Sequence, residues 1–318
     1  MPLTLTHLPG QDASSCHTNH DGGLRFPAGK PAAPRESAAA RPLALWHLSS
    51  FDAPTVAVIW SLGFAWAAGA RLARWVPALL ALTVWTVYVF DRLLDAHAAL
   101  RTAELGRLRE RHYFHWRHRR VLLPLAAAAA CAAAGLILAF MPAVARERGS
   151  VLAAASLAYF ARVHSGHRPR PFLAALLTKE LLVGLLFTAG CALPAFGALR
   201  TSAHASLWPL ACAAAYFASL AWLNCHAIDR WESQTERQAG ISLAACACLL
   251  AVCALLAATA AWAHPRVAAL LAAGAVSALL LALLDLKRNS LGQVTLRAVA
   301  DLALLTPAPL LALAWLAR

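Results

Sequence analysis

Long apolar runs alternate with short polar, arginine-rich segments along the chain after residue 45. A helix needs about 20 predominantly apolar residues to cross a bilayer, and most of these runs approach that length. The runs lie at about residues 52–70, 75–95, 121–141, 150–164, 174–196, 206–228, 241–263, 266–286 and 296–317. Alanine dominates them, and small residues let membrane helices pack closely. The pattern therefore predicts an all-α integral membrane protein, a bundle of about nine transmembrane helices.

The composition also indicates a membrane protein. Of the 318 residues, 60% are hydrophobic and 14% are charged, whereas soluble domains carry about 25% charged residues. Residues 1–45 are rich in Pro, Ala, Gly, Ser and His and lack the apolar core of a signal peptide, so we predict a disordered cytoplasmic tail. Residues 46–318 form the predicted polytopic domain. Most of the eight cysteines lie in its apolar runs, where they act as small hydrophobic residues.

The distribution of basic residues predicts how the chain lies in the membrane. The tail and alternate loops after it carry most of the lysines and arginines, which marks the cytoplasmic side. The N-terminus is then inside and the C-terminus outside, and the net charge of +13 belongs to loops rather than to a nucleic-acid-binding face. Of the 15 Asp and Glu residues, only Glu147 falls on the outer side. This asymmetry indicates a cation-using site open to the cytoplasm, in what we expect to be a bacterial inner membrane.

Two carboxylates close the second apolar run. Asp91 and Asp95 are four residues apart, so on a helix they share a face. Ionisable groups in apolar helices indicate function by default, and two acids on one face attract a cation such as Mg²⁺, which binds carboxylates and substrate phosphates. The alternative is a helix end that reaches the polar interface, where Arg92 and the arginines beyond it neutralise both acids.

A similar group of polar residues ends the sixth run. Asp229 and Glu232 are three residues apart and share a helix face, and Asn224 lies about one turn away. If this helix end faces the first one, the four acids form a Mg²⁺ site for a diphosphate. An ordinary helix C-terminus that leads into a loop explains the same residues.

In order and placement, these motifs resemble those of the UbiA-type membrane prenyltransferases. The first motif of that family is Asn-Asp-x-x-Asp-x-x-x-Asp, usually with Arg after the middle Asp. Here Asp91, Arg92 and Asp95 match it, while Val87 and Tyr88 replace the opening Asn-Asp.

Further motifs extend the resemblance over about residues 50–318. Residues 184–190 are similar to the family's Gly-x-x-Phe-x-x-Gly helix, and Tyr159 with Arg162 resembles its Tyr-plus-basic element. The group from Asn224 to Glu232 resembles its second acidic motif with shifted spacing.

The resemblance implies Mg²⁺-dependent transfer of a prenyl group from an isoprenyl diphosphate to an aromatic or lipid-like acceptor in the membrane. The implied metal ligands are Asp91, Asp95, Asp229 and Glu232, of which Asp91, Asp95 and Asp229 are the catalytic acids. The implied substrate-binding residues are Arg92, Tyr88, Tyr159, Arg162, Lys179 and Asn224. The charged members of that set clamp phosphates, and the tyrosines shield a cation through their rings.

A histidine-rich run lies between the second and third apolar runs. His112, His115 and His118 recur at every third position among several arginines, which repel a metal ion. We expect an amphipathic helix that either lies on anionic lipid or caps the site.

Two other functions fit the same pattern. The first is a non-catalytic membrane protein of the same fold, which keeps its acids to bind lipid or a partner. The second is an ion-coupled transporter, but transporters tend to have internal repeats and sites near the midplane of the membrane, and the sequence shows no repeat.

Overall fold

The computed structural model describes residues 41–102, 108–164, 178–199, 207–232 and 242–317. Throughout these ranges the regular elements are helices. In chain order they are α1 (Arg41–Leu48), α2 (Asp52–Ala67), α3 (Trp75–Thr102), α4 (Glu110–Arg117), α5 (Arg119–Phe140), α6 (Ala143–His164), α7 (Lys179–Leu199), α8 (Trp208–Glu232), α9 (Leu243–Ala260), α10 (Pro265–Lys287), α11 (Gln293–Ala303) and α12 (Pro307–Leu316). The all-helical class predicted from the sequence is confirmed for this part of the chain.

Six single helices are long and apolar enough to cross a membrane: α3, α5, α7, α8, α9 and α10. The number rises to eight if each of two bent pairs counts as one span, α1 with α2 at 84° and α11 with α12 at 44°. Helix α6 does not qualify, and its first turns carry Arg146, Glu147 and Arg148. A bundle of apolar helices is therefore established for the described residues, whereas the count of nine stays a prediction.

Aromatic side chains from α2 and α8 form the centre of the bundle. Trp60 stacks on Phe217 with 3.9 Å between ring centroids, and Phe64 packs edge-on against the same ring. All three side chains are fully buried. Rings in these arrangements stabilise a pair by about 0.5–1.5 kcal/mol beyond the burial of area, so α2 and α8 are fixed relative to each other at this level.

A glycine lets α7 approach α8 closely. A Cβ atom at Gly184 would lie 3.0 Å from the backbone nitrogen of Trp222 and 3.1 Å from the carbonyl oxygen of Ala218. Both distances are tighter than an ordinary Cβ contact, so a side chain here would require the backbone of α8 to shift, and glycine avoids this as in other close helix pairs in membranes. This glycine opens the Gly-x-x-Phe-x-x-Gly stretch, which here serves helix packing.

Large apolar side chains face outward on the helices at the edge of the bundle. Leu138, Leu157, Leu249 and Leu256 are each more than 60% exposed. Large exposed apolar surfaces mark sites of interaction with a membrane or another protein, and helices that contact lipid carry such side chains outward. The outward leucines agree with the membrane location predicted from composition.

Candidate functional site

The sharp corner between α1 and α2 brings polar groups into the interior. Ser50 lies at the corner, is fully buried and has a backbone φ of +66°. A positive φ is uncommon for a residue with a side chain, and such strain is found mostly at functional sites. The turn ends at Asp52, the first residue of α2, which is also buried.

His47, Asp52 and Asp301 meet beneath this corner. The Nδ1 atom of His47 lies 2.6 Å from Oδ2 of Asp52 and 3.7 Å from Oδ2 of Asp301. His47 comes from the last turn of α1, Asp52 from the start of α2 and Asp301 from α11. Among the residues that the structure describes, these three form the group whose potential metal-ligand atoms all lie within 4.8 Å of one another.

Each of the two aspartates is oriented by a hydrogen bond to its other oxygen. The backbone N–H of Ala53 donates to Oδ1 of Asp52 at 2.9 Å. The side-chain amide of Asn224 donates to Oδ1 of Asp301 at 3.0 Å. Both Oδ2 atoms are thereby directed toward His47. Asn224 is predicted from the sequence to bind substrate about one turn from Asp229 and Glu232, and the structure places its side chain at this buried cluster.

Arg92 is also directed inward. Its Nη1 atom donates to the Ser50 hydroxyl at 2.6 Å and to the backbone carbonyl of His47 at 3.2 Å. Its Nη2 atom lies 3.9 Å from Asp52, and its guanidinium lies 5.7 Å from the ring centre of Tyr88. Arg92 and Tyr88, two of the six residues predicted to bind substrate, are therefore neighbours, and Arg92 supports the corner.

A chain of hydrogen bonds continues from Ser50 to α4. His115 Nδ1 lies 2.8 Å from the carbonyl oxygen of Arg111, so it is the protonated nitrogen. His115 Nε2 is then an acceptor, and the Ser50 hydroxyl donates a hydrogen bond to it at 3.0 Å. Burial and the nearby Arg92 lower the pKa of His115 to about 4. His115 therefore stays neutral and joins α4 to the corner.

A second polar cluster surrounds Glu232 at the end of α8. Its carboxylate pairs with Arg111 at 3.2 Å, with Arg109 at 3.7 Å and, more closely, with Arg297. Burial lowers the pKa of Arg111 to about 10, Arg92 adds to that effect, and Glu232, Asp91 and Asp95 oppose it. Arg111 thus pairs with a carboxylate of α8 and lies within electrostatic range of the two carboxylates of α3.

The carboxylate pair of α3 lies on the side of the helix that faces α4. Oδ2 of Asp95 is 3.6 Å from Nε2 of His112, while the Arg109 N–H donates to Nδ1 of that histidine at 3.0 Å. Burial lowers the pKa of His112, which favours its neutral form. His112 and His115 point into the protein, so α4 caps this end of the bundle and does not present these histidines to lipid.

The structure places the other predicted site residues as follows. Tyr159 on α6 lies within electrostatic range of Asp91 and Asp95. Lys179 and Asp229 are exposed. The side chain of Arg162 lies outside the described residues. The structure therefore gathers Asp91, Asp95, Glu232 and Tyr159 around one end of the bundle. That Asp229 faces Asp91 and Asp95 stays a prediction.

Sequence reasoning missed His47, Asp52, Asp301, Ser50 and His115 as members of one cluster. The signal was weak, because His47 and Asp52 lie before and at the start of an apolar run, and Asp301 occurs alone within another. An isolated carboxylate in an apolar run is itself informative, but the pattern around Asp301 also fits an ordinary acid at a helix end.

Comparison with known proteins adds no family to this picture. The chain matches no protein-family model, and neither curated proteins nor solved structures give a match.

Proposed function

We propose that this chain is a membrane-embedded prenyltransferase. It would transfer a prenyl group from an isoprenyl diphosphate to an aromatic or lipid-like acceptor, as expected from the motifs that resemble UbiA-type enzymes. The observation that carries the proposal is the position of Arg111, whose Nη1 atom lies 3.2 Å from the Glu232 carboxylate of α8. Arg111 also lies within electrostatic range of Asp91 and Asp95 of α3, so acids of two different helices act on one basic residue of a capping helix.

This mixture of charges suits a metal-bound diphosphate. Arg109, Arg111 and Arg297 converge on Glu232 and provide guanidinium groups that bind phosphate oxygens in pairs. Asp91 and Asp95 provide oxygen ligands of the kind that Mg²⁺ prefers. When bound, Mg²⁺ would neutralise the diphosphate as it leaves. Glu232 could join Asp91 and Asp95 once the arginines turn to the phosphates.

The proposed transfer conserves atoms and charge. The bond between the prenyl carbon and the diphosphate oxygen breaks, and its electron pair goes to the diphosphate. The acceptor forms the new bond to the prenyl carbon and loses a proton to the released diphosphate. Arg111 would stabilise the charge that collects on the leaving group. The ring of Tyr159, which lies within electrostatic range of Asp91 and Asp95, would shield the positive prenyl carbon.

The proposed location follows from the charge pattern. The arginine-rich end of the bundle would face the cytoplasm of a bacterial inner membrane, with the N-terminus inside. The diphosphate would then arrive from the cytoplasm, and the prenyl tail and the acceptor would come from the lipid.

The test is an assay of diphosphate release. Purified protein in lipid nanodiscs is incubated with a labelled isoprenyl diphosphate, Mg²⁺ and extracted lipid, and both released diphosphate and labelled lipid are measured. Release should require Mg²⁺ and should be lost in Asp91→Asn/Asp95→Asn and in Glu232→Gln. Glu147→Gln is the control, because Glu147 is exposed on α6. Diphosphate binding without any release would favour the non-catalytic protein of the same fold.

An ion-coupled transporter is the second candidate. Both bent helix pairs contribute a carboxylate to the buried cluster, Asp52 from the first pair and Asp301 from the second. Broken helices and buried ionisable groups are typical of transporters. Proton flux into liposomes that contain the protein, lost in Asp301→Asn and retained in Asp91→Asn/Asp95→Asn, would support this function over prenyl transfer.

A further inference from the structure

We propose that His47, Asp52 and Asp301 bind a divalent first-row transition-metal ion where the two bent helix pairs meet. This site is separate from the proposed Mg²⁺–diphosphate site, because its residues come from α1, α2 and α11 rather than from α3 and the end of α8. It would join the two bent pairs to each other.

The distances fit one ion. Ligand atoms at about 2.0–2.1 Å around a tetrahedral ion are about 3.3 Å from one another. Here Nδ1 of His47 is 3.7 Å from Asp301 and 2.6 Å from Asp52. An ion would take the place of the proton shared by His47 and Asp52 and move the two atoms apart by less than an ångström.

The hydrogen bonds around the cluster resemble the outer shell of a metal site. Carboxylates that bind a metal through one oxygen are commonly held by a hydrogen bond to the other. Asp52 and Asp301 both have this arrangement, since amide N–H groups of Ala53 and Asn224 hold their Oδ1 atoms. Both Oδ2 atoms are directed to the same side, where Nδ1 of His47 lies.

An unpartnered oxygen beside the cluster gives a second, independent indication of a ligand. The side-chain oxygen of Asn224 is buried and accepts no hydrogen bond within the described part of the protein. Asn224 is only 5% exposed, and a buried polar atom without a partner is destabilising. Either a direct bond to the ion or a metal-bound water would satisfy this oxygen.

The local charge allows a metal ion to take the place of the shared proton. Once that proton has left His47, the two carboxylates of Asp52 and Asp301 would outweigh the single positive charge of Arg92. Arg92 does not occupy the site, because its short hydrogen bond goes to Ser50 and it remains 3.9 Å from Asp52. A buried group with net negative charge is unfavourable until a cation or a proton completes it.

The ligand types identify the class of metal. An imidazole nitrogen with carboxylate oxygens suits Zn²⁺, Mn²⁺ or Fe²⁺, whereas Mg²⁺ prefers oxygen ligands and keeps several waters. We therefore expect the site to bind Zn²⁺ and Mn²⁺ and to bind Mg²⁺ much more weakly. This preference separates it from the proposed diphosphate site.

The experiment measures the metal directly. Full-length protein in nanodiscs is assayed for metal content and stripped with a chelator. It is then titrated with Mn²⁺, and binding is measured as the loss of the electron paramagnetic resonance signal of free Mn²⁺. Zn²⁺ is added afterwards in competition. We expect one ion per chain. The affinity should fall at least about 100-fold in His47→Gln and in Asp301→Asn, and about 10–100-fold in Asn224→Ala, a loss typical of outer-shell changes.

Two controls make the outcome decisive. Asp91→Asn/Asp95→Asn should keep the Mn²⁺ affinity while it loses Mg²⁺-dependent diphosphate release, so the two proposals fail separately. His226→Gln removes a half-buried histidine that stacks on Trp222 and should change nothing. Equal Mn²⁺ binding by the wild type and His47→Gln would overturn the site and leave His47 as a proton-bearing partner of the two aspartates. If His47→Gln does not fold, Asn224→Ala with unchanged affinity has the same consequence.

Discussion

Arg92 donates a 2.6 Å hydrogen bond to the hydroxyl of Ser50, a buried residue with a backbone φ of +66°. The strained corner between α1 and α2 is thus held by a charged group of α3. Hydrogen bonds to charged groups contribute about 1.5–3 kcal/mol, roughly twice the contribution of neutral ones. This contact offsets the strain at Ser50 and connects the corner to the helix that carries Asp91 and Asp95.

Two substitutions at Ser50 should distinguish the contribution of the hydroxyl to stability from that of the backbone strain. Ser50→Ala removes the hydroxyl that accepts a hydrogen bond from Arg92 and donates one to His115, and it should lower the free energy of unfolding by about 1–3 kcal/mol. Ser50→Gly loses the same hydroxyl but accepts the positive φ, so it should be less destabilised than Ser50→Ala by about 1 kcal/mol. Unfolding in mixed micelles with increasing SDS measures both values.

The neighbouring Ser49 provides the control. Its hydroxyl donates to the carbonyl of Leu45 at an exposed position, so Ser49→Ala should stay within about 0.5 kcal/mol of the wild type. If Ser50→Gly is as unstable as Ser50→Ala, the positive φ carries no strain and the corner is held by the hydroxyl alone.

His115 should make stability depend on pH. Its pKa is about 4 in the folded protein and about 6.5 when unfolded. Above about pH 6.5 the group is neutral in both states and has no effect. As the pH falls from 6.5 toward 4, only the unfolded chain gains the proton, so stability should fall by about 1.4 kcal/mol per pH unit.

The measurement compares the wild type with His115→Gln in SDS unfolding at pH 7.5 and at pH 5. The variant should be less stable at pH 7.5, because the Ser50 hydroxyl loses the ring that accepts its hydrogen bond and the Arg111 carbonyl loses the ring N–H. Its stability should fall less between the two pH values. Identical losses in both proteins would show that other groups determine the acid sensitivity.

The apolar runs alone predicted the helices well, because the transfer of apolar side chains into lipid dominates the energetics and depends mainly on length and composition. Predicted segments such as 75–95 and 206–228 correspond to α3 and α8. The corner at Ser50 was not predicted, since the turn depends on contacts with Arg92 and His115 that are distant in sequence. The helix α1 begins at Arg41, so part of the predicted tail, residues 41–45, is helical.

The candidate site was likewise predicted only in part from the sequence. Asp91, Asp95 and Glu232 were identified because acids in or beside apolar runs are conspicuous. The histidine-rich run did not indicate which of its side chains point into the protein, because histidine and arginine occur on every side of that short helix. Only the packing of α4 on α1 and α3 decides that His112 and His115 face inward.

Gly184 should tolerate no side chain. In Gly184→Ala the new Cβ atom would meet the backbone of α8 at 3.0–3.1 Å, and backbone cannot move aside as a flexible side chain does. Overpacking of this kind costs about 1–3 kcal/mol. Gly197 lies on the same helix, and a Cβ atom added to it would have no neighbouring atom within 4 Å, so Gly197→Ala should be neutral or stabilising by up to about 1 kcal/mol. Equal effects of the two substitutions, measured by SDS unfolding, would contradict the close approach of α7 and α8.

Glu232 neutralises the arginines that the proposed reaction needs. Arg111, Arg297 and Glu232 are mostly buried, with 17%, 15% and 14% of their side chains exposed. Glu232→Gln keeps the shape but leaves buried guanidinium groups without a counter-charge, and breaking a buried pair costs about 3–5 kcal/mol. Arg109 is the more exposed partner, so Arg109→Gln should cost no more than about 1 kcal/mol.

The same substitution should change how the protein responds to diphosphate. Inorganic diphosphate can replace the missing carboxylate among the arginines, so it should stabilise Glu232→Gln more than the wild type in the absence of Mg²⁺. Turnover of an isoprenyl diphosphate with Mg²⁺ should nevertheless be lost in that variant. SDS unfolding with and without diphosphate measures the first effect. Arg111→Gln is the matched control. It removes a phosphate-binding group and should abolish the stabilisation by diphosphate. A Glu232→Gln variant that gains nothing from diphosphate would mean that these arginines serve only to hold α4 and α11 against α8.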